Sequence, residues 1–183
     1  MPNILTHIIE QQTGRYGRER VAFTTIDTAA RTLRPCSWGE LADRVEHAAC
    51  ALEMLGIKPQ DNIAILAPNC SEILVTDFAC YRNRAVPVSI YATSSANQVK
   101  YIVNDASAQA IFAGTQAHYD IARKIAADCP SMKHIIAFAD DIVFEAGDTT
   151  SMHFKDFLAL GAAASADCRA EVALRTAAAN PDD

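Results

Sequence analysis

The clearest hydrophobic pattern in the chain predicts an amphipathic helix that begins near Ser37. A serine followed three residues later by Glu40 is typical of a capping box, in which each side chain binds a free backbone N–H at the helix start. Gly56 stands where a left-handed residue often ends a helix. Between these signals the apolar residues recur at steps of three and four, which places them on one helix face: Leu41, Val45, Ala48, Leu52 and Leu55.

After this helix the spacing changes to short, continuous apolar runs. The run from Asn62 to Ala67 ends at Pro68 and predicts a strand buried on both faces. Because parallel strands need crossover helices, such strands alternating with helices predict an α/β fold, with a mostly parallel sheet and helices on both faces. The alternation continues with predicted helices over 71–82, 96–104 and 116–127 and predicted strands over 86–90, 109–112 and 133–138.

The two ends of the chain depart from this alternation. A short helix after Asn3, ending near Gly14, is predicted before a β-hairpin with strands at 21–26 and 32–36. Beyond Ser151 an Ala-rich segment predicts one or two helices over 162–179, and the polar end at 180–183 is typical of a linker. At 183 residues the chain is long enough for one buried core, so we expect a single folding unit.

Composition narrows the class of protein without identifying a function. Half of the residues are apolar, 21% are charged and the net charge is −6, as in many soluble globular domains. The sequence has no basic stripe with interleaved aromatic residues, so we expect no nucleic-acid partner. Six widely spaced cysteines without a Cys-x-x-Cys pair argue against a zinc site or a disulfide framework.

The sequence shows no pattern of a signal peptide and no apolar run of membrane-spanning length. We therefore expect a cytoplasmic protein without a transmembrane segment. Contact with a membrane surface is the alternative.

Few residues form a pattern that is typical of phosphate binding. Of the seven glycines only Gly14 and Gly17 lie within four residues of each other, so neither a dinucleotide fingerprint nor a Walker loop can be assembled. The best candidate is Thr93-Ser94-Ser95, which follows a predicted strand where a helix N-terminus favours anions. Capping of the next helix by a hydroxyl is the interpretation we favour.

Two pairs of residues could in principle bind a metal ion. His47 and Cys50 share a helical face, as a metal pair or a nucleophile with its base would, but no third and fourth ligand follow at suitable spacing. Asp140 and Asp141 could bind a cation, but adjacent side chains in a loop diverge. We therefore favour a core or surface role for the first pair and a solvated acidic turn for the second.

The remaining candidates carry weaker signals. Arg82 and Arg84 close a predicted helix, where cations complement the helix dipole, and a role in substrate binding is the weaker alternative. Four further histidines are isolated and show no pattern: His7, His118, His134 and His153. From its residues alone, the chain is predicted to be an α/β domain without a visible active site.

A resemblance to a known family runs through two stretches, Cys36–Glu72 and Ala85–Ser95. Both resemble the adenylate-forming superfamily, which includes the acyl-CoA synthetases. Within it, Ile90-Tyr91-Ala92-Thr93-Ser94-Ser95 and the following Gln98–Asp105 are most similar to the bacterial long-chain fatty acid CoA ligases. The resemblance covers about residues 5–183. It departs from the family at Arg84, where Gly is common, and at Ser89, where Pro is common.

The resemblance implies that residues 1–183 form the first subdomain of an acyl-CoA synthetase N-terminal domain. Residues 162–183 would then lead toward a Ser/Thr/Gly-rich phosphate loop that follows them. The implied parent is an acid–thiol ligase that uses ATP, Mg²⁺ and CoA. It joins a fatty acid to AMP with release of pyrophosphate and then transfers the acyl group to CoA.

In the family, the catalytic and nucleotide-binding motifs would lie beyond Asp183, so no residue of this chain is assigned a catalytic, cofactor-binding or metal-binding role. We expect the chain alone to be inactive, to hold none of the parent's cofactors, and to supply scaffold and part of the acyl or CoA surface. Self-association through surface exposed by truncation is also expected. The alternatives are a luciferase-like or aromatic-acid ligase, and a free-standing α/β binding or interaction module.

Overall fold

The computed structural model describes residues 5–27 and 31–180. Its strands, in chain order, are β1 (Val21–Asp27), β2 (Thr32–Ser37), β3 (Asn62–Leu66), β4 (Val86–Ile90), β5 (Ala110–Ala113), β6 (His134–Ala137) and β7 (Ser151–His153). Its α-helices are α1 (Ile8–Tyr16), α2 (Trp38–Met54), α3 (Ser71–Asn83), α4 (Ala96–Asp105), α5 (Gln116–Ile125), α6 (Phe154–Ala162) and α7 (Ala166–Ala177). Short 3-10 helices span Leu5–His7 and Ala126–Asp128.

The predicted parallel sheet is confirmed. It has five strands in the order β4-β3-β5-β6-β7, and every neighbouring pair is parallel. The loop after β3 leads to α3 on one face of the sheet, and the loops after β4 and β5 lead to α4 and α5 on the other. As a result β3 has a gap on each side at its carboxyl end. Such gaps are where ligands collect in open α/β sheets.

The alternating direction of the strand side chains divides the core into two layers. Ile63, Ile65 and Phe112 point to the face that is covered by helices α2, α3, α6 and α7. Ala64 and Ile111 point to the face that is covered by α4 and α5. Each fully buried Ile or Phe side chain contributes about 1.5–3 kcal/mol relative to an exposed one. Both faces of β3 and β5 are therefore buried, as the continuous apolar run of β3 predicted for that strand.

The capping box at the start of α2 is confirmed. The Ser37 amide donates to the Glu40 carboxylate over 2.7 Å, and the Glu40 amide donates to the Ser37 hydroxyl over 3.1 Å. At the other end Gly56 adopts the left-handed conformation, with φ of 82°. The middle of α2 packs closely on α6. Gly161 permits this contact, because a Cβ atom at this position would overlap the carbonyl oxygen of His47.

The predicted hairpin forms a separate antiparallel sheet of β1 and β2. Ile26 and Leu33 are paired across it and are 70% and 69% exposed. The predicted end of the first helix was wrong: α1 continues past Gly14 to Tyr16, because Gly17, with φ of 86°, is the residue that turns the chain. The predicted cap at Asn3 lies outside the described residues.

The Ala-rich segment at 162–179 contains one helix, α7, as one of the two expectations had it, and α6 ends where this segment begins. Arg175 fastens α7 to the rest of the domain. Its guanidinium is 7% exposed and donates to the Ile57 carbonyl over 2.8 Å, the Asn83 amide oxygen over 3.1 Å and the Glu171 carboxylate over 2.9 Å. Of the predicted linker at 180–183, residues 181–183 lie outside the described residues.

Strand β7 was not predicted, and the segment before it is held by Asp148. The Asp148 carboxylate accepts hydrogen bonds from Tyr119, Thr150 and Ser151 and lies 3.4 Å from Arg123 Nε. Burial acts to raise its pKa, but the hydrogen bonds from Ser151, Thr150 and Tyr119 outweigh burial and lower the pKa below its usual value of 3.8. This carboxylate joins α5 to the last strand of the sheet.

At the opposite edge of the sheet lies β4. The Val86 amide donates to the Asp61 carbonyl next to β3 over 2.9 Å. Since successive residues of a strand direct their backbone groups to opposite sides, Val88 and Ile90 also face β3, and Pro87 and Ser89 face outward. In the part of the chain that the structure describes, no helix is long and apolar enough to cross a membrane.

Candidate functional site

A pocket with a volume of about 640 Å³ opens between β3 and β4 at the carboxyl end of the sheet. We call it the β3–β4 pocket. One wall is formed by the end of β3, the loop after it and α3, and the other by the end of β4 and its loop. Its lining residues are Ile65, Ala67, Pro68, Asn69 and Ile73 on the first wall and Ser89, Ile90, Tyr91, Ala92 and Thr93 on the second.

The gap on the other side of β3 is closed. The Gly114 amide, just after β5, donates to the Leu66 carbonyl over 3.0 Å. A Cβ atom added to Gly114 would lie 2.6 Å from Ala67 Cβ and 2.8 Å from Pro68 Cδ. The two loops therefore touch, and the absence of a side chain at residue 114 is what permits the contact.

The hydroxyl groups near the pocket divide into caps and lining. Ser95 caps α4 in a second capping box, with its amide donating to Gln98 Oε1 over 2.8 Å, which confirms the capping interpretation. Thr93 lines the pocket. Thr115 caps α5 by accepting from the His118 amide. The N-cap of α3, Cys70, makes no such side-chain bond, so the first N–H groups of α3 lack a side-chain acceptor from their cap.

His118 is the residue near the pocket that sequence reasoning missed. It is 8% exposed, with Nδ1 3.0 Å from Thr115 Oγ1 and Nε2 2.9 Å from the Ala92 carbonyl oxygen. It thereby links α5 to the second wall of the pocket. The local spacing Thr115-x-x-His118, with a capping residue and the third residue of a helix, was visible in the sequence. The contact with Ala92, 26 residues away, was not.

The structure does not bring His47 and Cys50 into a reactive site. Cys50 is fully buried, and burial raises the pKa of its thiol. Its sulfur lies 3.9 Å from Glu46 Oε1, and its carbonyl accepts from the Cys168 thiol over 3.6 Å. The core interpretation of Cys50 is confirmed. Among residues 5–27 and 31–180 no group of three His, Cys, Asp or Glu side chains is placed to hold a metal ion.

The predicted charged candidates have structural partners. Arg82 lies at the end of α3, as predicted, and binds Glu46 over 2.7 Å, which ties α3 to α2. Arg84 follows α3 in the left-handed conformation, with φ of 57°. Glycine adopts this conformation at little cost, which accounts for its frequency at this position in the family. The Asp140 side chain is exposed, as expected in a solvated turn, and its Oδ1 lies 3.3 Å from Lys155 Nζ.

None of the other isolated histidines, His7, His134 and His153, lines the pocket. The His153 ring stacks on Phe144 at 4.4 Å. His134 begins β6, where burial lowers its pKa below the usual 6.5. His7 lies in the first 3-10 helix.

The chemistry of the β3–β4 pocket is that of a binding surface. Its lining residues are either apolar or carry an uncharged polar group. The polar groups are the hydroxyls of Ser89, Tyr91 and Thr93 and the amide of Asn69. Such groups can hold an apolar chain or ring and orient it by hydrogen bonds. The lining residues include no carboxylate, imidazole or amine that could exchange a proton with a substrate.

Comparison with known proteins places this architecture in a family. The family model described as AMP-binding enzyme matches residues 9–178. Long-chain-fatty-acid–CoA ligase FadD15 of Mycobacterium bovis is 32% identical over 100 residues, which is 55% of this chain and 17% of that protein. The 4-hydroxybenzoate–CoA/benzoate–CoA ligase of Rhodopseudomonas palustris is 28% identical over 107 residues, or 58% of this chain and 20% of that protein.

The fold is similar to that of solved adenylate-forming enzymes. The A-PCP didomain of carboxylic acid reductase from Segniliparus rugosus, in complex with AMP, aligns with a TM-score of 0.73 at 19% identity. The alignment covers 88% of this chain and 27% of that one. The chain thus spans less than a third of the length of each of these three proteins. With 170 of its 183 residues inside the matched region, the chain belongs to the family of AMP-binding enzymes.

Proposed function

We propose that this chain is the N-terminal part of an ATP-dependent long-chain fatty acid CoA ligase. The observation that carries the proposal is the 32% identity over 100 residues with a protein named as such a ligase, within the AMP-binding family. The stretches that resemble fatty acid ligases, Ile90–Ser95 and Gln98–Asp105, form the second wall of the β3–β4 pocket and α4.

In the proposed parent, the fatty acid carboxylate attacks ATP to give an acyl-adenylate and pyrophosphate, and the CoA thiol then displaces AMP. Catalysis of this kind depends on positioned groups that stabilise developing charge. The described residues offer neither a Gly-rich phosphate loop nor a metal-binding group of side chains. The chain's own contribution is a rigid sheet and one surface for the acyl group or for CoA.

An aromatic-acid ligase is the second candidate. The observation in its favour is the 28% identity with the 4-hydroxybenzoate–CoA/benzoate–CoA ligase, which is only slightly lower than that with the fatty acid ligase. The pocket lining fits an aromatic ring as well as an alkyl chain, because both are apolar.

The test compares this chain with the protein that also contains the downstream sequence. Pyrophosphate release is measured with ATP, Mg²⁺ and CoA in the presence of a long-chain fatty acid, of benzoate or of neither acid. We expect release by the extended protein with the fatty acid and no release by the chain alone. Release with benzoate only would favour the aromatic-acid ligase.

Titration calorimetry of the chain with Mg-ATP tests the assignment of the active site. We expect no heat of binding, because triphosphate binding needs preorganised donors and a metal to offset its charge. Micromolar binding by the chain alone would show that its active site lies within these residues. An extended protein that is inert toward every acid would instead favour a binding or interaction module.

A further inference from the structure

We propose that His118 is a positioning residue of the ligase, which fixes the second wall of the β3–β4 pocket through the carbonyl group of Ala92. The inference rests on the proposed function, in which this pocket binds the acyl group or CoA. His118 does not line the pocket itself. It acts through the loop of residues 91–94, which it ties to α5.

The hydrogen bonds around His118 define its tautomer. The Thr115 hydroxyl oxygen accepts from the His118 amide over 3.4 Å, and the same hydroxyl lies 3.0 Å from Nδ1. The carbonyl of Ala92, 2.9 Å from Nε2, can only accept. In the neutral ring Nε2 therefore carries the proton and donates to Ala92, while Nδ1 accepts from the Thr115 hydroxyl. Every polar atom of the ring is satisfied in this arrangement.

The loop that receives this hydrogen bond has little burial of its own. Tyr91 is 87% exposed, and Thr93 is also exposed. Inside the loop the Ser94 amide donates to the Tyr91 carbonyl over 2.9 Å, which closes a turn. The imidazole, by contrast, is held by α5 and buried. A rigid group thus fixes a loop that side-chain packing alone holds weakly, and three residues of that loop line the pocket.

Two substitutions separate the contacts of the ring. In His118→Gln the side-chain amide can reach the position of Nε2 and donate to Ala92. In His118→Asn the amide oxygen lies near the position of Nδ1 and can accept from Thr115, but the side chain is too short to reach Ala92. Both variants are smaller than histidine and remove the ring, so they are matched in lost packing more closely than either is with alanine.

The test uses the extended protein and measures kcat and the KM for fatty acid, CoA and ATP separately. For His118→Asn we expect the KM for fatty acid or for CoA to rise about fivefold to tenfold, as the loss of one positioning hydrogen bond implies. We expect kcat and the KM for ATP to stay within about twofold. His118→Gln should restore the KM to within about threefold of the parent value.

An unchanged KM for both fatty acid and CoA in His118→Asn would overturn the inference. Equal losses in Gln and Asn variants, or a fall in kcat alone, would also overturn it, because they indicate a structural role only. If the extended parent is inactive, the proposed function fails and hydrogen exchange still tests the loop. We expect the Ser94 amide to exchange faster in His118→Asn and at the parent rate in His118→Gln. Equal rates in both variants would contradict the proposal.

Discussion

The two gaps beside β3 both lie at the carboxyl end of the sheet, but one of them is closed and the other is open. On the β5 side, Gly114 lets two loops touch, and the gap is closed. On the β4 side, the loops after the strands lead to opposite faces and leave a pocket of about 640 Å³. The comparison shows that strand order indicates where a ligand could bind, whereas side-chain size in the loops decides which gap is open.

The largest effect should come from the anchor of α5 beside the closed gap. Asp148→Asn should destabilise the domain by about 3–5 kcal/mol, because it replaces a buried carboxylate that pairs with Arg123 and accepts a hydrogen bond from Tyr119. Urea unfolding of the chain at neutral pH measures this loss. Asp105→Asn, at an exposed position at the end of α4, is the control and should change stability by less than about 0.5 kcal/mol.

The same carboxylate predicts a pH dependence. Its pKa is lowered in the folded protein, so its contribution to stability is complete above its usual value of 3.8 and is lost as the pH falls below that value. The parent should therefore lose stability on acidification more steeply than Asp148→Asn. Hydrogen exchange at acidic pH should quicken in α5 before it quickens in the loop at 91–94. Parallel acid sensitivity of the parent and the variant would contradict this.

The next effect tests the closed gap directly. Gly114→Ala should cost about 1–3 kcal/mol, because its Cβ would lie 2.6 Å from Ala67 Cβ and force the loops apart. Gly14→Ala is the matched control, since a Cβ at Gly14, inside α1, would meet nothing within 4 Å. That change should stabilise the chain by up to about 1 kcal/mol. Thermal unfolding distinguishes the two, and equal shifts would show that the loop contact is unimportant.

The open gap can be filled without altering the core. Thr93→Trp places a large ring at an exposed lining position, so stability should change by less than about 0.5 kcal/mol. In the extended protein, we expect the KM for fatty acid or CoA to rise about tenfold, equivalent to about 1.4 kcal/mol of binding free energy. Tyr101→Trp, on α4 outside this pocket, should leave both KM values unchanged. A normal KM for both substrates in Thr93→Trp would remove the pocket from the proposed site.

The smallest effects should come from the caps of the helices that leave the two gaps. Ser95→Ala and Thr115→Ala each remove a side-chain acceptor at a helix start and should cost about 1 kcal/mol. Thr115→Ala also removes the partner of His118 Nδ1. It should therefore quicken exchange of the Ser94 amide, while Ser95→Ala leaves the His118 contacts intact. Thermal unfolding and hydrogen exchange measure the two effects.

Much of the fold followed from local patterns. The capping boxes at Ser37 and Ser95, the apolar runs of β3 and β5 and the helix–strand alternation are all determined by residues close together in the sequence. The strand β7 was missed because three residues, Ser151–His153, are too few to show a period. The end of α1 was misplaced because two glycines, Gly14 and Gly17, stand close together and only the second turns the chain.

The candidate site was less predictable, because its parts are distant in the sequence. Gly114 meets Ala67 across 47 residues, and His118 meets the Ala92 carbonyl across 26. The spacing of apolar residues along the chain does not indicate either contact. The resemblance to ligases identified the family, but it assigned no functional residue. The pocket therefore emerged only from the arrangement of the strands.

The outward side of β4 has a consequence for how molecules of this protein can meet. A strand from another molecule would need N–H donors at Pro87 and Ser89 to extend the sheet, and proline has none. Ser89, where the family commonly has a second proline, restores one donor. Of the two outward-facing residues, only Ser89 therefore offers a backbone N–H. One donor is too few for the row of hydrogen bonds that a continuous added strand needs. Growth of the sheet from molecule to molecule is blocked at this edge by a covalent ring.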